Sequence, residues 1–189
     1  MKLFNNVNSL VAVTLITTSL ISCGGKKDDS GNAGTTEQTA ASSDHKPEVS
    51  KPNTKAQVLY FDAKAEINVN SVTLDYFPTG EVLRDPKKEG KQFLRVEVAI
   101  TNNGKDPLTP SYTSFKVNTA KEKGVGMTML VNDGNSTDGY KDKELKAGET
   151  NTGALYFEVD GKETPATMTL VYDGGYVDGK TQILEIPLK

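Results

Sequence analysis

Tryptophan is absent from this chain of 189 residues, and cysteine and histidine each occur once. A single cysteine cannot form an intramolecular disulfide, so the folded part must be stabilised by a hydrophobic core. The only histidine, His45, lies in a polar N-terminal tract. We therefore expect the folded domain to lack the side chain that is most used for proton transfer near neutral pH.

Long basic runs are also missing, since no more than two Lys or Arg residues are adjacent anywhere in the chain. The 22 basic side chains are outnumbered by 25 acidic ones, and the formal net charge is −3. A protein that binds nucleic acid through its phosphates needs a basic patch or stripe. The sequence therefore predicts no nucleic-acid partner, and it offers no polybasic patch for a membrane surface.

The N-terminus has the pattern of a secretory signal peptide. Lys2 supplies one positive charge, and residues 10–21 form an apolar run that is interrupted only by small hydroxyl residues. This run is shorter than the roughly 20 apolar residues that cross a bilayer, and it ends in small residues. We predict a signal peptide over residues 1–22.

The last residues of this segment, Leu20, Ile21, Ser22 and Cys23, resemble the lipobox of bacterial lipoproteins. The resemblance implies cleavage between Ser22 and Cys23, and acylation of Cys23 with fatty acids such as palmitate. Two or three acyl chains hold a protein firmly at a membrane, whereas one chain binds only reversibly. We expect a membrane-anchored lipoprotein that faces the extracytoplasmic side of the bacterial cell envelope without spanning the membrane.

Residues 24–56 are dominated by Gly, Ser, Thr, Ala, Lys, Asp and Pro. Such a composition cannot bury enough surface to fold, so we predict that residues 23–56 are a lipidated, flexible tether. Within it, residues 26–29 (KKDD) resemble a signal that carries Bacteroidota lipoproteins to the cell surface. A solvated charge run explains them equally well, so inner membrane, outer membrane and Gram-positive surface all stay open.

Residues 57–189 interleave Val, Ile, Leu, Phe and Tyr with Gly and Asp turns, which predicts one folded domain. Its organising stretch is residues 92–104. The alternating apolar residues there are Leu94, Val96, Val98 and Ile100. This period of two is typical of a strand with one buried face. Residues 102–104 (NNG) follow and predict a tight turn with positive φ angles.

Further strands are expected where apolar residues alternate between turn residues. The candidates are residues 58–61, 66–74, 114–118, 125–131, 152–159, 167–172 and 182–188. Short strands separated by Gly, Asp and Pro predict an all-β fold, an antiparallel sandwich of two sheets. A barrel shares these features. We favour an immunoglobulin-like β-sandwich, although the Cys and Trp pattern of antibody domains is missing.

Two metal-binding patterns occur in the second half of the chain. The residues at alternating positions of a calcium loop and at its closing position are Asp133, Asn135, Thr137 and Glu144. The required glycine is displaced, so we interpret this segment as a polar hairpin loop. Met127 and Met129 share one face of a predicted strand, where thioethers suit Cu(I), but we interpret them as core packing. We expect no metal and no cofactor.

Carboxylates in turns are the remaining material for chemistry. Asp160, Asp173 and Asp178 each precede a glycine, and Asp-Gly is the ordinary turn dipeptide. A glycosidase would need a facing pair of carboxylates. The chain has no GxSxG elbow, no HExxH helix and no phosphate-binding glycine loop. We therefore expect no enzyme activity, with a carboxylate-dependent envelope hydrolase as an alternative.

Residues 90–108 (GKQFLRVEVAITNNGKDPL), 145–159 (LKAGETNTGALYFEV) and 168–174 (MTLVYDG) look like the extracytoplasmic lipoprotein domain called domain of unknown function 4352. That family is similar to a secreted mycobacterial immunoprotective antigen, so the resemblance implies an immunoglobulin-like fold and no particular activity. It spans most of residues 65–175 and departs from the family pattern at residues 121–144, which are longer and more polar.

Loops between sandwich strands can present recognition surfaces. The longest polar ones are residues 76–90 and 132–146, where we expect Tyr76, Phe77 and Tyr140 to face solvent. Exposed aromatic side chains mark interaction surfaces. We therefore predict a binding or protein-interaction module whose partner is an envelope protein or ligand. A passive envelope spacer is the other alternative, and the oligomeric state stays open.

Overall fold

A computed structural model describes residues 45–52, 54–60, 63–78, 84–130, 138–177 and 179–189. Several predicted features lie outside these residues: the signal peptide, Ser22, Cys23, Asp133, Asn135, Thr137 and Asp178. Within the described ranges, no helix has the length and apolar character needed to cross a membrane.

The described domain is built from strands that are rich in Val, Ile, Leu, Thr and Tyr. In chain order they are β1 (Glu48–Ser50), β2 (Thr54–Tyr60), β3 (Ala63–Leu74), β4 (Lys91–Asn102), β5 (Phe115–Asn118), β6 (Val125–Gly126), β7 (Thr150–Asp160), β8 (Thr169–Val177) and β9 (Lys180–Pro187). Short 3-10 helices lie in the connections at Pro86–Glu89, Tyr112–Ser114 and Pro165–Thr167.

These strands form two antiparallel sheets, which confirms the predicted all-β sandwich. The first sheet has the order β1-β3-β4-β7, with β2 also paired to β3, and the second has the order β6-β5-β8-β9. When β3, β4 and β7 are read as strands A, B and E, then β5, β8 and β9 are C, F and G. This is the strand distribution of the immunoglobulin fold, with β6 in the additional position beside C.

β4 lies in the middle of the first sheet and confirms the predicted alternation. Its side chains with 0% exposure are Leu94, Val96, Val98 and Ile100, and the residues between them are half-buried. Aromatic members of the same core are Phe115, Phe157 and Tyr172. Each buried aliphatic side chain contributes about 1.5–3 kcal/mol relative to an exposed one, so this core is the main source of stability.

The end of β4 differs from the prediction, because none of residues 102–104 has a positive φ angle. Asn102 stays in the strand with 0% exposure, and its side-chain amide donates to the carbonyls of Asp106 at 2.8 Å and Leu145 at 2.9 Å. Its Oδ1 accepts a hydrogen bond from Gly104 N–H at 2.9 Å. These hydrogen bonds fix the direction of the chain after β4 without the tight turn that the sequence predicted.

The folded domain begins earlier than predicted. β1 pairs with β3, with Glu48 opposite Leu74, and β2 pairs along the other part of β3. The described residues 45–52 and 54–56, which we predicted as the end of the tether, therefore lie with the domain that we predicted to begin at residue 57, and His45 is among them. Residues 58–60 of the predicted strand over 58–61 do lie in β2, but composition missed β1 and the beginning of β2, because backbone hydrogen bonds can hold a strand that has few apolar side chains.

The predicted strand over residues 125–131 is only partly present. Val125–Gly126 is a strand, and after it the chain leaves the second sheet and continues along β7. Met127 is half-buried against the main core, as predicted, but Met129 is 63% exposed and Leu130 is buried. The interpretation of Met129 as core packing is wrong because the period of two ends where the strand ends.

Candidate binding site

The outer face of the first sheet carries a second apolar cluster. Its buried members are Phe93, Leu130, Ala154 and Tyr156, and Tyr76 and Phe77 pack against them. Successive side chains of a strand point to opposite faces, so Leu155 enters the main core while Tyr156 enters this second cluster. Both faces of β7 are therefore buried, which is unusual for a strand near the edge of a sandwich.

Two segments run along the edge of β7 that does not face β4. The first contains Thr128, and the second contains Asp138 and Tyr140. Thr128 N–H donates to the carbonyl of Tyr156 at 2.9 Å. Tyr140 N–H donates to the carbonyl of Ala154, and Ala154 N–H donates to the carbonyl of Asp138, both at 2.8 Å. These bonds pair an edge that would otherwise present free backbone groups, and they bring the two segments to the same strand.

Gly153 permits the close approach of the second segment. A Cβ atom at this position would lie 2.4 Å from Tyr140 Cα and 2.8 Å from Tyr140 N. Both distances are far below van der Waals contact, which is about 3.5–4.0 Å between carbon atoms. The backbone of the second segment can therefore reach β7 only because Gly153 has no side chain.

Asp138 fixes the beginning of the second segment. Its carboxylate accepts hydrogen bonds from Arg95 Nε at 3.0 Å and Nη2 at 2.8 Å, and another from the Tyr156 hydroxyl. Burial lowers the pKa of the Arg95 guanidinium, but the hydrogen bonds and charge of Asp138 outweigh burial and raise this pKa. The guanidinium also lies 5.8 Å from the ring centroid of Tyr76. The negative charge of Asp138 is thus neutralised by the guanidinium of Arg95.

A cavity of about 390 Å³ is lined by both segments and by the 3-10 turn before β5. Its buried lining residues are Leu130, Tyr140, Ala154 and Tyr156. Its exposed lining residues are Tyr112, Met129, Lys141 and Asp142. Met129 is 63% exposed and Tyr112 is 43% exposed, so a large part of the wall is apolar surface that water covers. The volume lies within the range of about 300–1,000 Å³ that is typical of small-molecule sites.

The two charged side chains of the cavity differ in their partners. Asp142 accepts hydrogen bonds from the Ser111 hydroxyl and from Tyr112 N–H, each at 2.8 Å. Lys141, in contrast, has no carboxylate partner among the described residues. Within the described residues, Lys141 is therefore a cation that remains available to a ligand at this cavity.

The predicted solvent-facing aromatic residues are found in other environments. Tyr140 is 5% exposed and packs near Phe115, and burial raises the pKa of its hydroxyl. Tyr76 and Phe77 do come together, but they are half-buried in the second cluster. The prediction that these three side chains face solvent is therefore wrong, although Tyr140 does line the cavity.

The exposed residues of the cavity were not identified from the sequence. The alternation of residues 125–131 placed Met129 in the core, and no local pattern connects Tyr112 with it. The sequence contained one indication of the cavity: the range that departs from the family pattern, residues 121–144, contains both Met129 and Lys141. Residues 127–130 and 139–142 of that range line the cavity.

Among the other predicted site residues, Glu144, Asp160 and Asp173 do not line the cavity. Glu144 is exposed, and no group of three or more metal-binding side chains occurs in the described part of the chain. Asp160 accepts a hydrogen bond from Lys121 Nζ at 2.8 Å, and Asp173 accepts one from Gly175 N–H at 2.9 Å. Both carboxylates thus have turn or surface partners, as the Asp-Gly pattern predicts.

The fold and the cavity define a class of protein: a small immunoglobulin-like sandwich with a partly apolar pocket at the edge of one sheet. The chain belongs to the family described as Domain of unknown function (DUF4352), which matches residues 26–183. The family resemblance seen in the sequence is therefore confirmed.

Three solved bacterial structures are similar. One is the ycdA protein of Bacillus subtilis, assigned as a lipoprotein, with 20% identity, a TM-score of 0.49, and coverage of 69% of this chain and 38% of that chain. Another is yjhA of Bacillus subtilis, with 20% identity, a TM-score of 0.46, and coverage of 66% and 80%. A functionally unknown Listeria monocytogenes protein has 17% identity, a TM-score of 0.47, and coverage of 75% and 88%. No curated protein sequence matches this chain.

Proposed function

We propose that this chain is a lipid-anchored binding module on the extracytoplasmic side of a bacterial membrane. In this proposal the cavity beside β7 takes a small amphipathic ligand with an apolar body and one anionic group, and the domain has no catalytic role. The observation that carries the proposal is the exposed apolar wall of Met129 and Tyr112 next to Lys141, which has no carboxylate partner within the described residues.

The apolar part of the ligand follows from the cavity wall. Buried Leu130 and Tyr140 lie beside exposed Met129 and Tyr112, so a ligand group entering the cavity would remove apolar surface from water on several sides. Burial of such surface yields roughly 25 cal/mol per Å². Methionine is flexible and polarisable, and it is common at surfaces that accept ligands of varied shape.

The anionic part of the ligand follows from the charges. Asp138 is neutralised by Arg95, and Asp142 is hydrogen-bonded to Ser111 and to the backbone of Tyr112. Both carboxylates therefore have hydrogen-bond donors within the described residues. Lys141 has no carboxylate partner in the described part of the chain, so it favours a carboxylate, sulfonate or phosphate at the mouth of the cavity.

The anchor follows from the sequence. Residues 20–23 end an apolar run and resemble a lipobox, and Cys23 is the only cysteine that can accept a lipid. Diacylation would hold the domain at a membrane surface, where a partner or ligand of the cell envelope reaches it. Family membership and the sandwich fold are consistent with this role.

Two fluorescent probes test the two parts of the ligand separately. Anilinonaphthalene sulfonate has an aromatic body with an anionic group, and phenylnaphthylamine has the same aromatic body without the charge. We expect the complete chain to bind both probes. Lys141→Gln should weaken the sulfonate about 2–5-fold, as one exposed ion pair of about 0.5–1 kcal/mol predicts, and leave the neutral probe unchanged.

Met129→Glu should weaken both probes, because it places a charge on the apolar wall. Ile183→Glu is the matched control, since Ile183 is 58% exposed but lies on β9 and does not line the cavity. If Met129→Glu and Ile183→Glu bind both probes as well as the wild type does, the cavity is not a binding site. Release of soluble sugars from purified envelope polymer would instead favour the hydrolase alternative.

A further inference from the structure

The folded domain has few side chains that oxidants attack readily. The chain has no tryptophan, and its one cysteine, Cys23, lies in the predicted anchor outside the described residues. Where no thiol is present, peroxides attack the thioether of methionine. Of the four methionines, Met1 belongs to the predicted signal peptide, which leaves Met127, Met129 and Met168. Oxidation of the domain by a peroxide should therefore begin at one of these three residues.

These three thioethers differ in their access to solvent. Met168 is 2% exposed and belongs to the main core, and Met127 is half-buried against the same core. Met129, in contrast, is 63% exposed. A peroxide has to reach the sulfur atom before it can transfer oxygen, so the rate of oxidation rises with exposure. Met129 is therefore the thioether of the described domain that an oxidant meets first.

The backbone keeps Met129 in this exposed position. Before it, Thr128 N–H donates to the carbonyl of Tyr156 on β7 at 2.9 Å. After it, Leu130 is 2% exposed and lies in the second cluster with Tyr156. Since both neighbours are fixed, Met129 cannot enter either apolar cluster without breaking one of these contacts. Its thioether is therefore held at the wall of the cavity.

We propose that Met129 is a site of reversible oxidation that controls ligand binding at the cavity beside β7. This proposal rests on the proposed function of that cavity. Hydrogen peroxide transfers an oxygen atom to the sulfur: the O–O bond breaks, an S–O bond forms, the thioether is oxidised by an electron pair, and the peroxide is reduced to water. A methionine sulfoxide reductase reverses the change, releasing the oxygen as water while a pair of thiols is oxidised to a disulfide.

Oxidation would change the polarity of the cavity wall and leave the fold intact. The sulfoxide is a polar group that water solvates, whereas the thioether is apolar and polarisable. The apolar body of a ligand would remove water from the sulfoxide oxygen without offering it a hydrogen bond, which disfavours binding. Met129 already faces water in the folded domain, so the domain itself loses little. The oxidised cavity should therefore lose affinity for apolar ligands while the domain stays folded.

Mild treatment of the complete chain with hydrogen peroxide tests the site itself. Peptide mass spectrometry should find sulfoxide at Met129 first, then at Met127 and last at Met168, with Met129 oxidised at least about tenfold faster than Met168. The melting temperature should not change when Met129 alone is oxidised. Oxidation of Met127 or Met168 at the same rate as Met129 would show that the exposed thioether is not a selective site, and the proposal would be wrong.

The affinity for phenylnaphthylamine, measured before and after peroxide treatment, tests the consequence for binding. In the wild type this affinity should fall by roughly 3–10-fold, as the loss of part of one apolar contact predicts, and methionine sulfoxide reductase should restore it. In Met129→Leu, which has no sulfur at this position, peroxide should not change the affinity that the variant has before treatment. Met127→Leu is the matched control, because it removes a thioether from the same segment and keeps Met129. Its affinity should fall as that of the wild type does.

The outcomes separate this proposal from the proposed function. If the untreated wild type binds neither fluorescent probe, the proposed function fails, and control by oxidation fails with it. If the untreated wild type binds phenylnaphthylamine and its affinity is unchanged after Met129 is oxidised, only the control by oxidation is overturned. The same conclusion holds if peroxide weakens Met129→Leu as much as the wild type, because the loss then comes from another residue.

Discussion

Substitution of Gly153 by alanine is the sharpest test of how β7 positions the cavity. The new Cβ would lie 2.4 Å from Tyr140 Cα, so one of the two backbones has to move by more than 1 Å, roughly, to restore ordinary contact. β7 is held by its whole ladder with β4, from Lys91 to Thr101. We therefore expect the segment that contains Tyr140 to move.

The energetic cost can be worked out from the contacts that this movement breaks. Tyr140 N–H to the Ala154 carbonyl and Ala154 N–H to the Asp138 carbonyl are both 2.8 Å. Each such bond contributes about 0.5–1.5 kcal/mol, and partial exposure of the Tyr140 ring adds about 1 kcal/mol. Removing glycine from a strand returns about 0.5–1 kcal/mol. The net loss is about 1–3.5 kcal/mol, out of the roughly 5–15 kcal/mol that holds a domain.

Urea unfolding measures this loss, and the midpoint should fall by about 0.5–2 M. Gly126→Ala is the matched control, because Gly126 also lies in a strand and a Cβ there would meet nothing within 4 Å. The control should be neutral or slightly stabilising. Gly153→Ala should also lose affinity for both fluorescent probes. Equal midpoints for the two variants would show that the close approach at Gly153 does not position the segment.

Other predictions concern stability and the anchor. Asn102→Asp removes the amide hydrogens that the side chain donates to the carbonyls of Asp106 and Leu145 and places a charge at a buried position, so it should cost about 3–4 kcal/mol at neutral pH. The exposed Asn103→Asp should cost less than about 0.5 kcal/mol, and similar urea midpoints for the two variants would contradict this. Burial raises the pKa of Asp75, but hydrogen bonds from groups that include Lys87 outweigh it and lower the pKa. The ionised carboxylate of Asp75 thus adds stability at neutral pH, and this stability is lost as pH falls. In Asp75→Asn, the melting temperature should therefore decrease less between neutral and acid pH than in the wild type. An unchanged dependence of the melting temperature on pH would contradict this. Cys23→Ser should leave unprocessed, unlipidated precursor, and an unlipidated mature wild-type chain in intact-mass spectrometry would refute the anchor.

The central strands and the class of fold were predictable because their information is local. In β4, alternate residues are apolar over the whole strand, so the sequence alone shows which face enters the core. The candidate strand at residues 152–159 is likewise found in β7, where Leu155 and Phe157 are buried in the main core. Gly, Asp and Pro between the strands then restrict the fold to an antiparallel all-β arrangement.

The candidate site depended on contacts between distant residues. Met129 and Tyr112 meet at one cavity because backbone hydrogen bonds hold a segment on the edge of β7, and no periodic pattern encodes an edge. Tyr140 was predicted to be an exposed aromatic side chain in a loop. Because Gly153 has no side chain, the Tyr140 backbone packs against β7, and the Tyr140 ring is buried. Local sequence patterns do not reveal contacts between residues that are far apart in the chain.

Residues 45–50, at the start of the described domain, show most clearly the difference between what the sequence and what the tertiary structure determines. From the sequence, the polar composition of residues 24–56 excludes a hydrophobic core of their own, and nothing in the structure changes that conclusion for residues 45–50. Only the tertiary structure brings Asp75, Asp85 and Phe77 around His45 and supplies β3 as a partner for β1. Amino-acid composition determines whether a segment can fold alone, whereas backbone pairing and charge contacts with residues far along the chain decide whether it folds onto something else.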